Sequence, residues 1–103
     1  MDKTEIIAKV KQFSELVTRE MHIKKIVLYG SHARGDAREE SDIDVAVIVD
    51  SIEGDFLSLA SRLFKLRRSV DVRIEPLLLV EDEKDGFLEA IIKNGNTIYS
   101  SAA

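Results

Sequence analysis

Two apolar runs joined through a Gly-Ser pair constrain this chain most. Ile26-Val27-Leu28-Tyr29 leads into Gly30-Ser31-His32-Ala33-Arg34-Gly35-Asp36, and Ser41-Asp42-Ile43-Asp44 then opens Val45-Ala46-Val47-Ile48-Val49. Each run is almost free of polar residues, the pattern of a strand covered on both faces. A chain built around two such strands needs helices on both sides of its sheet. Lys24 to Tyr29 and Asp42 to Val49 are therefore predicted as strands. Gly30 ends the first, and Ser31 is placed as the N-cap of a short helix that stops near Gly35. Asp36 to Ser41 reads as a polar loop.

The remaining segments supply the cover. Ile6, Ile7, Val10, Phe13, Leu16, Val17 and Met21 recur at helical spacing, with Asp2 or Thr4 as the cap. A turn over 50–54 precedes a helix from Asp55 whose residues Phe56, Leu57, Leu59, Ala60, Leu63, Phe64 and Leu66 are expected to be largely buried. Arg62, Lys65, Arg67 and Arg68 near its end read as a solvated face, with receipt of a partner as the other reading. Val70 to Glu75 alternates cleanly and is expected to be a strand that Pro76 stops or kinks, with Asp71, Arg73 and Glu75 on its polar face. Leu77 to Val80 is ambiguous. The acids Glu81, Asp82, Glu83 and Asp85 read as a solvated loop or helix start. Asp85 is a candidate cap for a helix through Ile92, Asn94-Gly95 is its stop, and Thr97 to Tyr99 is a short last strand. Phe13, Phe56, Phe64 and Phe87 are all assigned to the core. The order α-β-α-β-α-β-α-β gives an α/β (α+β) fold: a small mixed sheet with helices packed on it.

The 103 residues fit a single domain over 1–103. With 15 Lys+Arg against 19 Asp+Glu, the formal net charge of -4 argues against direct nucleic-acid binding, which needs a basic footprint. The absence of cysteine excludes disulfides and thiolate metal sites and is compatible with the cytoplasm. The charged opening Met1-Asp2-Lys3-Thr4-Glu5 does not suit a signal peptide, and no apolar run approaches membrane-spanning length, so no membrane association is expected.

Three features carry chemistry. Asp42 and Asp44, one residue apart on a strand, project to the same face. Two such carboxylates repel unless a cation sits between them, and hard oxygens without His or Cys suit Mg²⁺ or Mn²⁺. A strand that ends in Gly30 and opens a helix at Ser31 offers free backbone N–H groups to phosphate. If the two strands are neighbours, cradle and carboxylates face the same space. Asp71 can complete a metal site and accept a proton from an attacking hydroxyl. Three carboxylates, two metal ions and a phosphate cradle are the apparatus of in-line phosphoryl or nucleotidyl transfer. Arg34, one helical turn after Ser31, stands between two readings: bidentate phosphate binding, or an ion pair with Asp36, Glu39 or Asp42. His22 reads as a surface histidine, His32 as an exposed helix histidine or one that faces the phosphate ligand, and Arg73 as a partner of Asp71 or of phosphate.

The spacing G-S-x10-D-x-D from Gly30 to Asp44, followed by Asp71, resembles the nucleotidyltransferase superfamily that includes DNA polymerase β. The fuller Gly30-Ser31-His32-Ala33-Arg34-Gly35 with Ser41-Asp42-Ile43-Asp44, and the ending Phe87 to Gly95 with Ile98-Tyr99, is similar to its minimal nucleotidyltransferase (MNT) domains. The resemblance implies the polymerase β-like nucleotidyltransferase fold over nearly the whole chain. It implies that Gly30 and Ser31 hold the β- and γ-phosphates of a nucleoside triphosphate. It implies that Asp42 and Asp44 bind two Mg²⁺ ions, and that Asp71 binds the catalytic one and activates the acceptor. The resemblance implies an antitoxin of a HEPN/MNT toxin–antitoxin pair, since MNT domains are typically encoded beside a HEPN-domain protein, an RNase-like toxin, which they neutralise. The implied activity is transfer of AMP from ATP to a tyrosine hydroxyl of the HEPN-domain toxin, as a homo-oligomer or a hetero-oligomer with it. Two alternatives accompany it: an antitoxin that acts by stoichiometric binding alone, and a nucleotidyltransferase for a small molecule.

Overall fold

The computed structural model describes residues 2–82 and 84–101; Met1, Ala102, Ala103 and the Glu83 of the acidic run lie outside them. The first helix, α1 (Lys3–Glu20), starts where the Asp2 side chain accepts a hydrogen bond from the Glu5 N–H, and it buries Ile6, Val10, Phe13 and Val17 along one stripe. Then come β1 (Lys25–Tyr29), α2 (Ser31–Arg34), β2 (Ile43–Val49) and α3 (Phe56–Leu66). A 3-10 turn (Arg67–Ser69) leads to β3 (Ile74–Val80), α4 (Gly86–Asn94) and β4 (Asn96–Ser100). Asp55 caps α3 by accepting from Ser58 N–H, and Asp85 caps α4 by accepting from Phe87 and Leu88 N–H.

The strands form one four-stranded sheet in the order β3-β2-β1-β4. β1 pairs antiparallel with β2 and β4, whereas β2 and β3 run parallel and are joined by the crossover through α3. The predicted mixed sheet with helices on it is what forms. Ile26, Leu28, Ile43, Val45, Val47, Ile74 and Leu78 face α1 and Leu63 of α3. Val27, Ala46 and Ile48 face Leu88 and Ile91 of α4 on the other side. Cover on both faces is the reason β1 and β2 are apolar but for Lys25 and Asp44 near their ends. Gly95 lets α4 turn directly into β4. A β-carbon there would stand 2.7 Å from the carbonyl oxygens of Ile91 and Leu28.

Three expectations are corrected. The strand expected over Val70 to Glu75 does not form before Ile74: Asp71 Oδ1 accepts from Arg73 N–H at 2.9 Å, which curls 71–73 into a turn and leaves Val72 64% exposed. β3 begins at Ile74 and runs through Pro76, which pairs opposite Val45. An edge strand needs hydrogen bonds on one side only, so it tolerates proline. The assignment of the phenylalanines to the core holds for Phe13 alone: Phe56, Phe64 and Phe87 are exposed, and so is Leu57. α3 packs through Leu63, with Leu59, Ala60 and Leu66 half-buried beside it, and the Arg67 guanidinium covers the Phe64 ring at 4.7 Å from its centroid. No described helix is long and apolar enough to cross a membrane.

Candidate active site

The antiparallel register of β1 and β2 sets Tyr29 opposite Asp44, so the residue after Tyr29 falls beside the acid pair. That residue is Gly30, at φ 76° and ψ -151°. A β-carbon there would overlap Oδ2 of Asp44, so both the backbone conformation and the closeness of the carboxylate require glycine. The condition set by the sequence, that the two strands be neighbours, is met.

Gly30, rather than Ser31, is the N-cap of α2, and Ser31 is its first helical residue. The Gly30 carbonyl accepts from the N–H groups of Ala33 and Arg34 at 3.1 and 3.0 Å. The N–H groups of Ser31 and His32 precede the first bond of the helix. Gly35, left-handed at φ 87°, closes α2 with its N–H on the Ser31 carbonyl.

Asp42 is exposed one residue before β2, and Asp44 is half-buried within it. Burial pushes the Asp44 carboxyl above the usual carboxylate range, and the negative charges of Asp42 and Glu75 add to that. His32 and Arg34 oppose it from the α2 side. A hard divalent cation would relieve this mutual repulsion, and the oxygen-only donor set fits Mg²⁺, which commonly takes one or two protein carboxylates and fills its shell with water and substrate phosphate.

Asp71 stands elsewhere. Its nearly buried carboxylate accepts from Lys9 Nζ at 2.9 Å, from Arg73 Nη2 at 2.7 Å and from Arg73 Nε at 3.1 Å. The Arg73 guanidinium, assisted by the Arg73 N–H and by Lys9, holds this carboxyl well below the usual range despite its burial. Arg73 also donates to the Glu39 carbonyl at 3.1 Å, tying the turn to the loop ahead of Asp42. Among the described residues, no three His, Cys, Asp or Glu side chains form a group able to hold a metal. The structure thus brings Gly30, Ser31, Asp42 and Asp44 together and leaves Asp71 engaged with cations.

Arg34 is exposed, with Nε 3.2 Å from Asp36 Oδ2. Of its two readings the ion pair is present, though on a side chain open enough to exchange partners. His32, expected at the surface, is half-buried, with Nε2 3.4 Å from the Ser41 carbonyl. His22 is exposed as expected, 3.8 Å from Asp50.

Sequence reasoning passed over two residues. Glu75 occupies the rung of β3 directly opposite Asp44, with Oε1 3.2 Å from Arg67 Nη1. Alternation had already put it on the polar face with Asp71. Tyr29 lies on the other side of Asp44; burial, then the charges of Asp44 and Glu75, push its hydroxyl upward. Tyr29, Gly30 and Arg34 also form one wall of a groove of about 530 Å³ whose other wall is α4, at Phe87, Ala90, Ile91 and Asn94.

Comparison with known proteins agrees with this geometry. Residues 11–103 match the family model "Polymerase beta, Nucleotidyltransferase". A Methanocaldococcus jannaschii protein described as a candidate protein adenylyltransferase is 31% identical over 98 residues, which cover 88% of this chain and 96% of that protein. A candidate nucleotidyltransferase from Sulfolobus solfataricus superposes with a TM-score of 0.70 at 19% identity, covering 95% of this chain and 83% of its own. A toxin–antitoxin crystal structure with AMP-PNP superposes at 0.59 and 18% identity, covering 89% and 74%. The two structural likenesses establish the fold. The match over residues 11–103, together with a relative 31% identical over nearly its whole length, shows that the chain belongs to the polymerase β-like nucleotidyltransferase family.

Proposed function

We propose that this chain is an antitoxin that transfers AMP from ATP to a tyrosine hydroxyl of a HEPN-domain partner and thereby neutralises it. The observation that carries the reading is the contact of Gly30 with Asp44, which sets the Gly-Ser turn against the Asp42–Asp44 pair. Family membership supports the nucleotidyl chemistry. The adenylyltransferase description of the M. jannaschii relative supports a protein acceptor, and the toxin–antitoxin neighbour with AMP-PNP supports both the adenine nucleotide and the partner.

The N–H groups at Ser31 and His32 take the β- and γ-phosphates, and Arg34 exchanges Asp36 for a phosphate oxygen. Asp42 and Asp44 would hold two Mg²⁺ ions, which would supply positive charge opposite the triphosphate and the leaving pyrophosphate. The tyrosine oxygen attacks the α-phosphorus in line, the bond between the α-phosphorus and the bridging oxygen breaks, and pyrophosphate departs. Asp71 accepts the hydroxyl proton in this reading, which requires its carboxylate to leave Lys9 and Arg73, since a carboxylate held by two cations is a weak base.

That engagement of Asp71 is also the observation that favours a second reading, neutralisation by stoichiometric binding without transfer. One experiment separates them. The protein is incubated with its co-encoded neighbour, ATP and Mg²⁺, and the intact neighbour is weighed. A mass gain of AMP that disappears in the Asp42→Asn/Asp44→Asn variant is expected. Neutralisation that survives in this variant, with no mass gain for any nucleotide, would overturn the enzyme reading.

A further inference from the structure

The groove between α2 and α4 has properties that the phosphate and metal residues do not explain. Its floor is Tyr29, whose β1 position lies across from Asp44, and its near end is Gly30. Its far wall presents Phe87, 56% exposed, where the sequence pattern called for a core residue. Phe87 is followed on the same helical stripe by Ala90 and Asn94, both exposed. Ala90 leaves space, and the Asn94 amide offers one acceptor and two N–H donors. An exposed aromatic face, an aromatic floor, a small residue between them and an amide at the rim suit a flat heterocycle with a polar edge. The volume of about 530 Å³ falls within the range of small-molecule sites, roughly 300–1,000 Å³.

From this continuity we infer that the groove binds the nucleobase of the triphosphate whose phosphates lie at Gly30 and Ser31. The inference rests on the nucleotidyl-transfer reading and adds to it the residues that hold the base. Phe87 stacks on the ring, Tyr29 bounds its other side, and Asn94 meets its edge. The acidic strand ends do not take part, so the groove contributes affinity for the base without contacting the reacting phosphorus. The exposure of Phe87 means that its truncation leaves the core of Leu88 and Ile91 intact.

The test is calorimetric titration of the full chain in Mg²⁺ with two probes, ATP and inorganic tripolyphosphate, which lacks a base. The wild type is expected to bind ATP more tightly than tripolyphosphate. Phe87→Ala is expected to weaken ATP by about 5- to 150-fold, the loss typical of one base–aromatic stack, and to leave tripolyphosphate unchanged. Ala90→Leu, which fills the groove without disfavouring the helix, is expected to do the same. Leu57→Ala on the remote α3 surface serves as the control and is expected to change neither. ATP affinity within about twofold of wild type in both groove variants would overturn the inference, even where tripolyphosphate binding upholds the phosphate site. Loss of transfer to the neighbour with ATP affinity intact would overturn it as well, because the groove would then receive protein. Failure of wild type to bind either probe would remove the nucleotide reading on which the inference stands.

Discussion

Gly30 and Asp44 touch across the β1–β2 ladder, with no room between them for a single methyl group. Gly30→Ala meets two penalties at once: a positive φ that alanine disfavours, and overlap with the carboxylate. Expected is a loss of about 1–3 kcal/mol in stability, measured by urea unfolding, together with loss of ATP binding. Wild-type ATP affinity in this variant would show that the turn and Asp44 do not form one site.

Gly95 gives a contrasting case, away from the acids. Its missing β-carbon spares the carbonyls of Ile91 and Leu28, both main-chain atoms that cannot swing aside. Gly95→Ala should cost about 1–3 kcal/mol through overpacking, read as a lowered urea midpoint with an unchanged slope.

The Asp71 cluster makes stability depend on acid pH. A carboxyl depressed in the folded state contributes stability that is fully present above its unfolded value, near 3.9, and that is lost as pH falls through the folded value. Arg73→Leu removes the principal partner and should lower stability at pH 7 by about 1–3 kcal/mol. The difference from wild type should shrink as pH falls below about 4, as Asp71 protonates in the variant and in the unfolded chain. Equal stability of the two proteins at pH 7 would show that Lys9 alone holds Asp71.

How far the fold was legible follows from particular residues. The strands at Ile26–Tyr29 and Ile43–Val49 were readable because burial on both faces leaves them nearly uniform, and the caps Asp2 and Asp85 because a carboxylate just before an apolar helical pattern accepts from the first free N–H groups. β3 was misplaced because alternation over Val70 to Glu75 imitates a strand, whereas the Asp71 side chain competes for the backbone and bends it. The adjacency of Gly30 and Asp44 was legible only as a condition, since register depends on pairing. The engagement of Asp71 was half legible: Arg73 was read as a partner of Asp71 or of phosphate, but Lys9 lies on α1, 62 positions away, and only folding brings it to Asp71. The exposed Phe56, Phe64 and Phe87 were hidden by a sound rule, that phenylalanine is usually interior.

Two leucines of α3 measure that last correction. Leu57 is 73% exposed and Leu63 is 1% exposed. Leu57→Ala should stay within about 0.5 kcal/mol of wild type, whereas Leu63→Ala should lose about 2–5 kcal/mol in chemical denaturation. A large loss at Leu57 would mean that this face is covered in solution.

Chemical transfer at the Asp42–Asp44 pair is tested most directly by stoichiometry. Pyrophosphate released is counted against AMP gained by the co-encoded neighbour, with Mg²⁺ present and after chelation. One pyrophosphate per AMP is expected in Mg²⁺, and neither product after chelation or in the Asp42→Asn/Asp44→Asn variant. Full neutralisation of the neighbour in chelator, with no pyrophosphate and no mass gain, would contradict transfer.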